Sequence, residues 1–598
     1  MLRNGLTVCV FCILVLSLST TAATESRGLA WGLDGALLLV VNPDSNSLSL
    51  VDSATRMVRF EVTVGIDPRT VAVSPDGLVA YVACRGSDEV TIADLVEGTV
   101  LGQIPVGDRP YGVLVGSSGR LFVAEQGVDS VRILDTSTLE TLAVLPVDDR
   151  PSGLGLGSNG RLLYVTHLLQ PSLTVFENVD GPTDGILQRH IALWPDSNLL
   201  QSIILSNDGL TAYVPHTRSN VVNRALTFDT TVFPLISLVD LGDEVHRVGD
   251  QLDLGTLDPP GVGLPFDAAL TPDGQELWVV NAASNDLSVL DLENRNLKRH
   301  IEVEDNPRSI LLSADGATAY VSNTLAGTVS IIDTASGTVV DSIRTTTIPL
   351  PPVLLEGKRL FHSSDDPRMA QAQWISCNTC HFEGEHDGQT WTFGFAGPRN
   401  TTSLLGMIET YPLRWSGEWD ESADSEFAVR RENFGAGLID GEMGCAIFPP
   451  DCVDGDPNQG RNYDLDALAA FIDSLRVPLN PDHADGQPLS EAAQRGEILF
   501  HNDSVGCAEC HPAPLYTDLK RHDVGTTTSD ERIGPAFDTP TLRGLYDSAP
   551  YFHDGSARTL RQTITFASPK SEHDVRGILT DEEIDDLLAF LLALPFEP

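Results

Sequence analysis

The 598-residue sequence has few basic residues and only five methionines. Lysine and arginine together number 38, against 84 aspartates and glutamates, which gives a formal net charge of −46. A surface of this sign repels nucleic acid and anionic lipid, so neither is expected as a partner. A cationic partner protein would be attracted to such a surface, although the acidic side chains can also serve solvation alone.

Long apolar runs are absent after the first eighteen residues. The amino terminus carries one arginine, an apolar run from Leu6 to Leu18, and small residues around Ala22–Ala23. This pattern is typical of a secretory signal peptide, which we place at residues 1–23. No later segment has the eighteen consecutive apolar residues of a membrane-spanning helix. The sequence therefore predicts an exported protein, periplasmic or extracellular, that does not span a membrane.

Cysteine is scarce, and its distribution is informative. Two of the nine cysteines lie in the predicted signal peptide, and four others form two copies of the motif Cys-x-x-Cys-His. The copies stand at Cys377–His381 and Cys507–His511. A pair of thiols at this spacing can be a disulfide, a zinc ligand pair or a redox centre, and the histidine after the second thiol narrows the choice.

The other three cysteines lie outside these motifs. Cys445 and Cys452 bracket a short loop, where an oxidising compartment favours a disulfide. Two unpaired thiols are the alternative, since sequence alone gives no distance between them. Cys84 is left without a predicted partner.

The first part of the chain is repetitive. At 598 residues the chain is too long for one core, and two to four domains are expected. Each repeat has a short run rich in β-branched and aromatic residues, such as "VAYVAC", and a second run about ten residues later. The runs follow Asp-Gly, Ser-Gly or Asn-Gly turns, mostly about 42 residues apart, at Gly35, Gly77, Gly119, Gly160, Gly209, Gly274 and Gly316.

Four short strands in such a period are typical of a propeller blade, so the sequence predicts a seven-bladed all-β propeller over residues 28–345. The pattern resembles the YVTN-type propeller family across this whole range. The resemblance implies a fold and no particular function. The fifth repeat is longer than the others, and residues 219–263 are predicted to be an insertion that shapes a binding face or a domain contact.

One position in each repeat ends the second predicted strand, on the face of the proline-bearing loops. It holds asparagine in three blades and metal-ligand types in four consecutive ones, namely Cys84, Glu125, His167 and His216. Because the second strand is not innermost, we expect neighbouring side chains to lie too far apart for one ion and to serve as hydrogen-bonding or docking groups. His167 with His216 is the only pair that merits a metal test. The loops of this face carry Arg69, Arg109, Arg150 and Arg308.

After residue 345 a linker leads into a second duplication. The segment "LLEGKRLFH" precedes the first Cys-x-x-Cys-His motif, and "AQRGEILFH" precedes the second. Each half ends in a stretch with apolar residues at helical spacing, "DLDALAAFIDSLR" and "DEEIDDLLAFLLALP". The sequence therefore predicts two mainly α-helical units of cytochrome c type, at residues 350–480 and 488–598.

The spacing inside the motif indicates its chemistry. Two intervening residues let both sulfurs form thioethers with the two vinyl groups of one porphyrin, and the histidine then lies beneath the iron as its proximal ligand. Zinc would require the two motifs to converge on one ion, and a thioredoxin-like pair would require a βαβ context. We therefore predict two covalently bound c-type haems. The first haem would be attached through Cys377 and Cys380, with His381 as the iron ligand. The second would be attached through Cys507 and Cys510, with His511 as the iron ligand.

The surrounding passages resemble the dihaem cytochrome c peroxidase and MauG superfamily over roughly residues 354–598. The matching residues are Arg399–Thr401, Trp415 and Gly417 in the first half, and the passage "TPTLR…APYFHDG" in the second. The resemblance implies an oxidoreductase in which one haem receives or stores electrons and the other meets peroxide or a similar oxidant. It also implies an electron-donor or electron-acceptor protein. The propeller would position a substrate, a partner protein or the haem module.

The second haem departs from the family pattern. Peroxidases of this group commonly hold the electron-accepting haem between histidine and methionine, but no methionine follows the second motif here. A nitrogen or phenolate ligand in place of a thioether lowers the reduction potential, which favours MauG-like chemistry. We expect His573 as the sixth ligand. The alternatives are His522, His553, Tyr551, or a methionine from the first half, namely Met369, Met407 or Met443.

The first haem also lacks a family residue. The distal histidine would fall near Trp391–Phe393, where this sequence has none. His386 is the nearest candidate ligand, and without any ligand the site is open to peroxide. Trp415 is a candidate electron relay between the haems, with core packing as its alternative. The acidic group that assists O–O cleavage is sought among Glu418, Glu432 and Glu442.

Two other functions remain compatible with the sequence. In one, the protein is a non-catalytic electron carrier whose irons are both six-coordinate. In the other, the propeller is an interaction module and the haems serve stability or sensing.

Overall fold

The computed structural model describes residues 24–594, with gaps at 225, 226, 228, 229, 258–260, 442–455, 479, 482–487, 569 and 572. The predicted signal peptide, Glu442, Met443, Cys445 and Cys452 lie outside the described residues. Within the described ranges, no helix is both long enough and apolar enough to cross a membrane.

The predicted seven-bladed propeller is confirmed, and each blade is an antiparallel sheet. The first two blades consist of β1 (Leu29–Gly32), β2 (Leu37–Asn42), β3 (Ser47–Asp52) and β4 (Met57–Thr63), then β5 (Pro68–Val73), β6 (Val79–Cys84), β7 (Glu89–Asp94) and β8 (Thr99–Pro105). The next two consist of β9 (Pro110–Val115), β10 (Arg120–Glu125), β11 (Ser130–Asp135) and β12 (Thr141–Pro146), then β13 (Pro151–Leu156), β14 (Leu162–His167), β15 (Ser172–Glu177) and β16 (Leu187–Ala192).

The fifth blade has additional short strands, whereas the last two are regular. The fifth consists of β17 (Ser197–Asn198), β18 (Ile204–Leu205), β19 (Thr211–Ser219), β20 (Val232–Asp240), β21 (Val245–His246) and β22 (Leu252–Asp253), followed by the short helix α1 (Leu254–Leu257). The last two consist of β23 (Pro265–Leu270), β24 (Glu276–Asn281), β25 (Asp286–Asp291) and β26 (Asn296–Glu302), then β27 (Pro307–Leu312), β28 (Thr318–Asn323), β29 (Thr328–Asp333) and β30 (Thr338–Arg344).

Glycine turns and buried strands produce this repeat. Each glycine that marks the repeat precedes the second strand of its blade, or β19 in the fifth blade, and all seven have φ between 69° and 84°. Glycine adopts this left-handed conformation without the steric cost that a Cβ atom would add. The following strand is then buried between neighbouring blades, as in β2, where all six residues are buried.

The circle closes between the seventh and the first blade. Strand β27 packs against β1, and Trp31 Nε1 donates to the carbonyl oxygen of Leu312 at 3.2 Å. Near the same seam, Ser49 Oγ of β3 donates to the carbonyl oxygen of Thr345 at 2.8 Å. These contacts join the last blade to the first and close the ring.

The insertion predicted in the fifth repeat is a domain contact. Strands β19 and β20 have nine residues each, against six in most other blades, and their hairpin reaches the C-terminal segment. The backbone N–H of Thr392 donates to the carbonyl oxygen of Val221 at 2.9 Å. Val232 packs into an apolar cluster with Trp374 and Trp391. The hairpin therefore covers one side of the first Cys-x-x-Cys-His region.

The C-terminal segment is only partly helical, and much of it consists of turns and loops. Two two-stranded sheets interrupt the helices, β31 (Thr390–Phe393) with β32 (Gly397–Asn400) and β33 (Arg521–His522) with β34 (Phe537–Asp538). The helices are α2 (Pro352–His362), α3 (Cys377–Cys380), α4 (Glu426–Arg431), α5 (Tyr463–Ser474), α6 (Glu491–Phe500), α7 (Cys507–Cys510), α8 (Leu560–Ile564) and α9 (Asp581–Leu592).

Two equivalent helix pairs organise the duplicated halves. Helix α2 packs against α5, and α6 packs against α9. The aromatic contacts agree: the ring centroids of Phe361 and Phe471 are 5.3 Å apart, and those of Phe500 and Phe590 are also 5.3 Å apart. The duplication in sequence is thus a duplication of a helix crossing, with one Cys-x-x-Cys-His motif after each first helix.

The first helix pair sits on the propeller. The ammonium group of Lys358 in α2 contacts Asp44, and Arg359 pairs with Asp305 at 2.9 Å. Just after α2, the backbone N–H of Ser364 donates to the carbonyl oxygen of Ala283 at 2.7 Å. The C-terminal segment is therefore held on the propeller face that bears the proline loops.

Candidate functional site

Both Cys-x-x-Cys-His motifs have the same local structure. Each is a single helical turn, α3 or α7, followed directly by the histidine. His381 Nδ1 donates to the carbonyl oxygen of Thr402 at 2.9 Å, and His511 Nδ1 donates to that of Tyr516 at 2.9 Å. A proton fixed on Nδ1 leaves Nε2 as the lone-pair nitrogen, which is the form that ligates a metal. Both histidines are therefore oriented as ligands.

The motif cysteines are thiols in apolar surroundings. Burial raises the pKa of Cys377 to about 12 and that of Cys507 to about 11. Reactive redox cysteines have lowered pKa values instead. Among the residues that the structure describes, no group of three or more His, Cys, Asp or Glu side chains could hold a metal ion.

A cavity of about 400 Å³ lies beside the second motif. Cys507, Cys510 and His511 line it, and Phe552 and Ile564 contribute apolar wall. No methionine is among its described lining residues. A cysteine pair, a histidine and an apolar wall are the surroundings that a c-type haem requires. The residues that line this cavity therefore fit a haem.

His573 lines the same cavity and has one unpaired ring nitrogen among the described residues. Its Nδ1 is buried and has no hydrogen-bond partner in the described part of the chain. Burial, with a smaller effect of His511, lowers the pKa of His573 to about 4, so the ring is neutral, as a ligand must be.

Two of the other sixth-ligand candidates of the second site have hydrogen-bond partners. His522 Nε2 is 2.9 Å from Asp518, and the Tyr551 hydroxyl donates to the carbonyl oxygen of Leu545 at 3.0 Å. His553 stacks on Phe537, with ring centroids 3.8 Å apart, and its buried Nε2, like Nδ1 of His573, has no hydrogen-bond partner among the described residues. His573 therefore stays the predicted sixth ligand, with His553 as its alternative.

Trp415 and Glu418 lie in one loop between the two halves. Trp415 lines the cavity of the second motif, donates from Nε1 to the carbonyl oxygen of Asn400 at 2.8 Å, and contacts the His553 ring edge-to-face at 6.4 Å. The neighbouring Arg414 pairs with Glu418 and Glu432. Such a location suits a relay as well as packing.

Glu418 is a buried carboxyl group with a raised pKa. It is 5% exposed, and its Oε2 has no hydrogen-bond partner among the described residues. Burial raises the pKa of Glu418, and Arg414, 3.6 Å away, only partly opposes this. Glu432 instead accepts a 2.6 Å hydrogen bond from Arg414. The raised pKa makes this carboxyl group easier to protonate than an exposed glutamate.

His386 has both ring nitrogens engaged. Its Nδ1 accepts the backbone N–H of Gly388 at 3.1 Å, and its Nε2 donates to the carbonyl oxygen of Asp547 at 2.6 Å. The ring also lines the cavity of the second motif, although it was predicted as a ligand of the first haem. Its role as a ligand stays a prediction.

The propeller face contributes a cluster that sequence reasoning found only in part. Glu383, two residues after His381, is 3.0 Å from Arg69 and 2.6 Å from Arg308. Glu385 accepts from Arg85 and from Arg150, the latter at 2.7 Å. The arginines were placed on the correct face, but their partners were missed. The acidic residues of "HFEGEHD" are the sequence feature from which partners of these arginines could have been predicted.

The four unusual strand-end residues are satisfied within their own blades. His167 Nε2 is 2.9 Å from Thr174 Oγ1, and His216 Nε2 is 2.8 Å from Ser237 Oγ. The Glu125 carboxylate accepts from Ser130 at 2.6 Å and also from Arg132. Cys84 is fully buried. Six of the seven positions end their strand as predicted, whereas β19 continues past His216 to Ser219.

Comparison with known proteins identifies relatives by sequence. Hydrazine synthase subunit gamma of Kuenenia stuttgartiensis is 30% identical over 271 residues, which cover 37% of this chain and 72% of that protein. Methylamine utilization protein MauG of Methylophilus methylotrophus is 30% identical over 295 residues, 42% of this chain and 87% of that protein. Cytochrome c551 peroxidase of Nitrosomonas europaea is 27% identical over 270 residues, which cover 40% of this chain and 78% of that protein. A scan against descriptions of protein families finds no match.

These relatives and the geometry of the two motifs define a peroxidase-like haem oxidoreductase, here joined to a seven-bladed propeller. Two relatives reach 30% identity, and the aligned regions cover 72% and 87% of their lengths. The chain belongs to the dihaem cytochrome c peroxidase and MauG family.

Proposed function

We propose that the chain is an exported dihaem c-type cytochrome with MauG-like oxidoreductase activity, in which the propeller is a docking scaffold for the haem units. The observation that carries this is the equivalence of the two motifs. Each motif follows the first helix of an equivalent helix pair, and each histidine donates its Nδ1 proton to a backbone carbonyl. The units at 350–480 and 488–598 would be the two haem domains, and 28–345 the scaffold.

Each residue near the motifs has a defined part in this proposal. Cys377, Cys380 and His381 would hold the first haem, and their counterparts Cys507, Cys510 and His511 the second. Haem iron, when bound, supplies one-electron chemistry and reaction with peroxide.

The chain itself supplies ligation and a proton. His573 would complete the coordination of the second iron, which lowers its potential relative to a thioether ligand. Glu418 would hold a proton beside the first site, where Arg414 orients the loop. Trp415 would lie on the electron path between the sites.

The partners follow from the family and the charge. The relatives named peroxidases favour peroxide as the oxidant and a cytochrome as the electron donor. A cationic donor would suit the net charge of −46. The amino-terminal pattern of residues 1–23 favours export.

The test is haem stoichiometry by intact mass and haemochrome spectra of the secreted protein. The full chain is expected to carry two haems, and the variants C377A/C380A and C507A/C510A one each. Cys84→Ala is the matched control, since Cys84 is buried in the propeller far from both motifs in sequence, and it keeps both haems. Bare thiols at either motif in the secreted wild type would refute the proposal.

A further inference from the structure

The carboxylates of two different halves of the haem module meet on the propeller. Glu385 lies four residues after His381 of the first motif, and Asp547 belongs to the second half. Arg109 Nη1 is 3.3 Å from Glu385 and 2.7 Å from Asp547. Arg150 is 2.7 Å from Glu385 and 2.8 Å from Asp547. Each of these two arginines therefore bridges both halves.

Most of the bridge is buried. Arg109 is 3% exposed, Arg150 2% and Glu385 5%, whereas the Asp547 side chain is 23% exposed. Two carboxylates in such surroundings repel each other, because water reaches only one of them and only in part. They can share this place only while the guanidinium groups of the propeller lie between them. Removing one partner from a buried ion pair leaves an uncompensated charge, which is strongly destabilising.

The bridge is continuous with the residues between the two motifs. Asp547 leads into the segment that ends at His553, whose carbonyl oxygen accepts the backbone N–H of Asn400 at 2.6 Å. Asn400 in turn accepts from Trp415 Nε1 at 2.8 Å, and the Trp415 ring contacts His553. Moving Asp547 would therefore shift the contacts of Trp415.

We propose that Arg109 and Arg150 are positioning residues, through which the propeller fixes the two haem sites relative to each other and so sets the rate of electron transfer between them. This inference rests on the proposed function, since it requires a haem at both motifs. The propeller is then a structural part of the redox centre, and the arginine face is occupied by the chain's own haem module.

The test compares variants of the full chain. R109Q/R150Q keeps the side chains polar but removes the charge, and R109K/R150K keeps the charge. Arg56→Gln is the control, because Arg56 pairs with Asp341 on the propeller surface and both side chains are 44% exposed. After rapid one-electron reduction, the rate at which the electron equilibrates between the haems is measured, together with haem content and the melting temperature.

With two haems bound, R109Q/R150Q is expected to equilibrate about ten- to a hundredfold more slowly than the wild type, as for a small displacement of reacting groups. R109K/R150K recovers part of the rate, and Arg56→Gln keeps it. An unchanged rate in a two-haem R109Q/R150Q protein overturns the inference. If that variant does not fold, the equilibration rate is measured on Asp547→Asn instead. A slower rate in a two-haem Asp547→Asn protein supports the inference, and an unchanged rate overturns it. A wild type with only one haem refutes the proposed function instead.

Discussion

Helix α2 crosses α5 so closely at Gly357 that a Cβ atom added there would lie 1.9 Å from the carbonyl oxygen of Ala467 in α5. A Cβ atom added at Gly496 in α6 would likewise lie 2.0 Å from the carbonyl oxygen of Asp586 in α9. Cβ atoms do not approach backbone oxygen at such distances, so a larger residue would force the helices apart. The two glycines occupy equivalent places in "LLEGKRLFH" and "AQRGEILFH", and each fixes the crossing of one half.

Replacing either glycine by alanine is expected to destabilise its half. Gly357→Ala and Gly496→Ala should each lower the free energy of unfolding by about 2–3 kcal/mol, the usual cost of overpacking a tight contact. Thermal denaturation monitored by circular dichroism measures the effect. Gly577→Ala is the control, because a Cβ there meets nothing within 4 Å. Equal melting temperatures for Gly496→Ala and Gly577→Ala would show that the crossing tolerates a methyl group.

The sequence allowed the propeller to be predicted because its information is local and repeated. A turn glycine and two apolar runs recur in every blade, so each of the seven sheets could be located without knowledge of the others. The same argument located the two motif-bearing halves. The extension of β19 and β20 was predictable as an insertion, but its contact with Thr392 was not, since nothing local encodes it.

The joint between propeller and haem module is the part that sequence could not give. Arg150 and Glu385 are 235 positions apart, and Arg109 and Asp547 are 438 apart. An arginine on a propeller loop is compatible with docking to any acidic surface, so its partner is decided by the packing of whole domains. Likewise, sequence could not choose among the sixth-ligand candidates, whereas burial with an unpaired ring nitrogen sets His553 and His573 apart from His522.

Removing His573 is expected to open the second site. With the first iron open and the second closed, the reduced wild type should bind one carbon monoxide per chain. His573→Ala should bind two, because loss of the imidazole leaves the second iron five-coordinate. Titration followed by absorption spectroscopy measures the stoichiometry. His522→Ala, whose ring is held by Asp518, should behave as the wild type. Two carbon monoxide molecules on His522→Ala and one on His573→Ala would reassign the ligand.

Glu418 is expected to matter for turnover and little for haem binding. Glu418→Gln keeps the shape of the side chain but removes the transferable carboxyl proton, so peroxide-dependent turnover should fall by about 10²–10⁴-fold. Haem content should be unchanged. Glu140→Gln, at an exposed position of the propeller, is the control. A loss in Glu432→Gln, with full activity in Glu418→Gln, would transfer the role to Glu432.

The arginine bridge should make the protein sensitive to acid. Burial alone would raise the pKa of Glu385, but Arg85, Arg150 and Arg109 outweigh it and hold the pKa below its usual value of 4.5. The pKa of Asp547 is likewise held low against burial by Arg109 and Arg150. Both folded-state pKa values lie below the unfolded ones, so unfolding takes up protons. Their contribution to stability is present above about pH 4.5 and is lost as the pH falls below it.

This dependence can be isolated by comparing variants at two pH values. Between pH 7 and pH 3, the melting temperature of the wild type should fall further than that of R109Q/R150Q, by at least about 2–4 °C. The reason is that both arginines that depress the pKa of Asp547, and two of the three that depress the pKa of Glu385, are removed, so less stability remains to be lost. Arg56→Gln should follow the wild type, since its exposed pair shares no residue with the bridge. Parallel acid profiles for the wild type and R109Q/R150Q would show that Glu385 and Asp547 gain nothing from Arg109 and Arg150, because an ion pair that stabilises the folded state must release its stabilisation when its carboxylates are protonated.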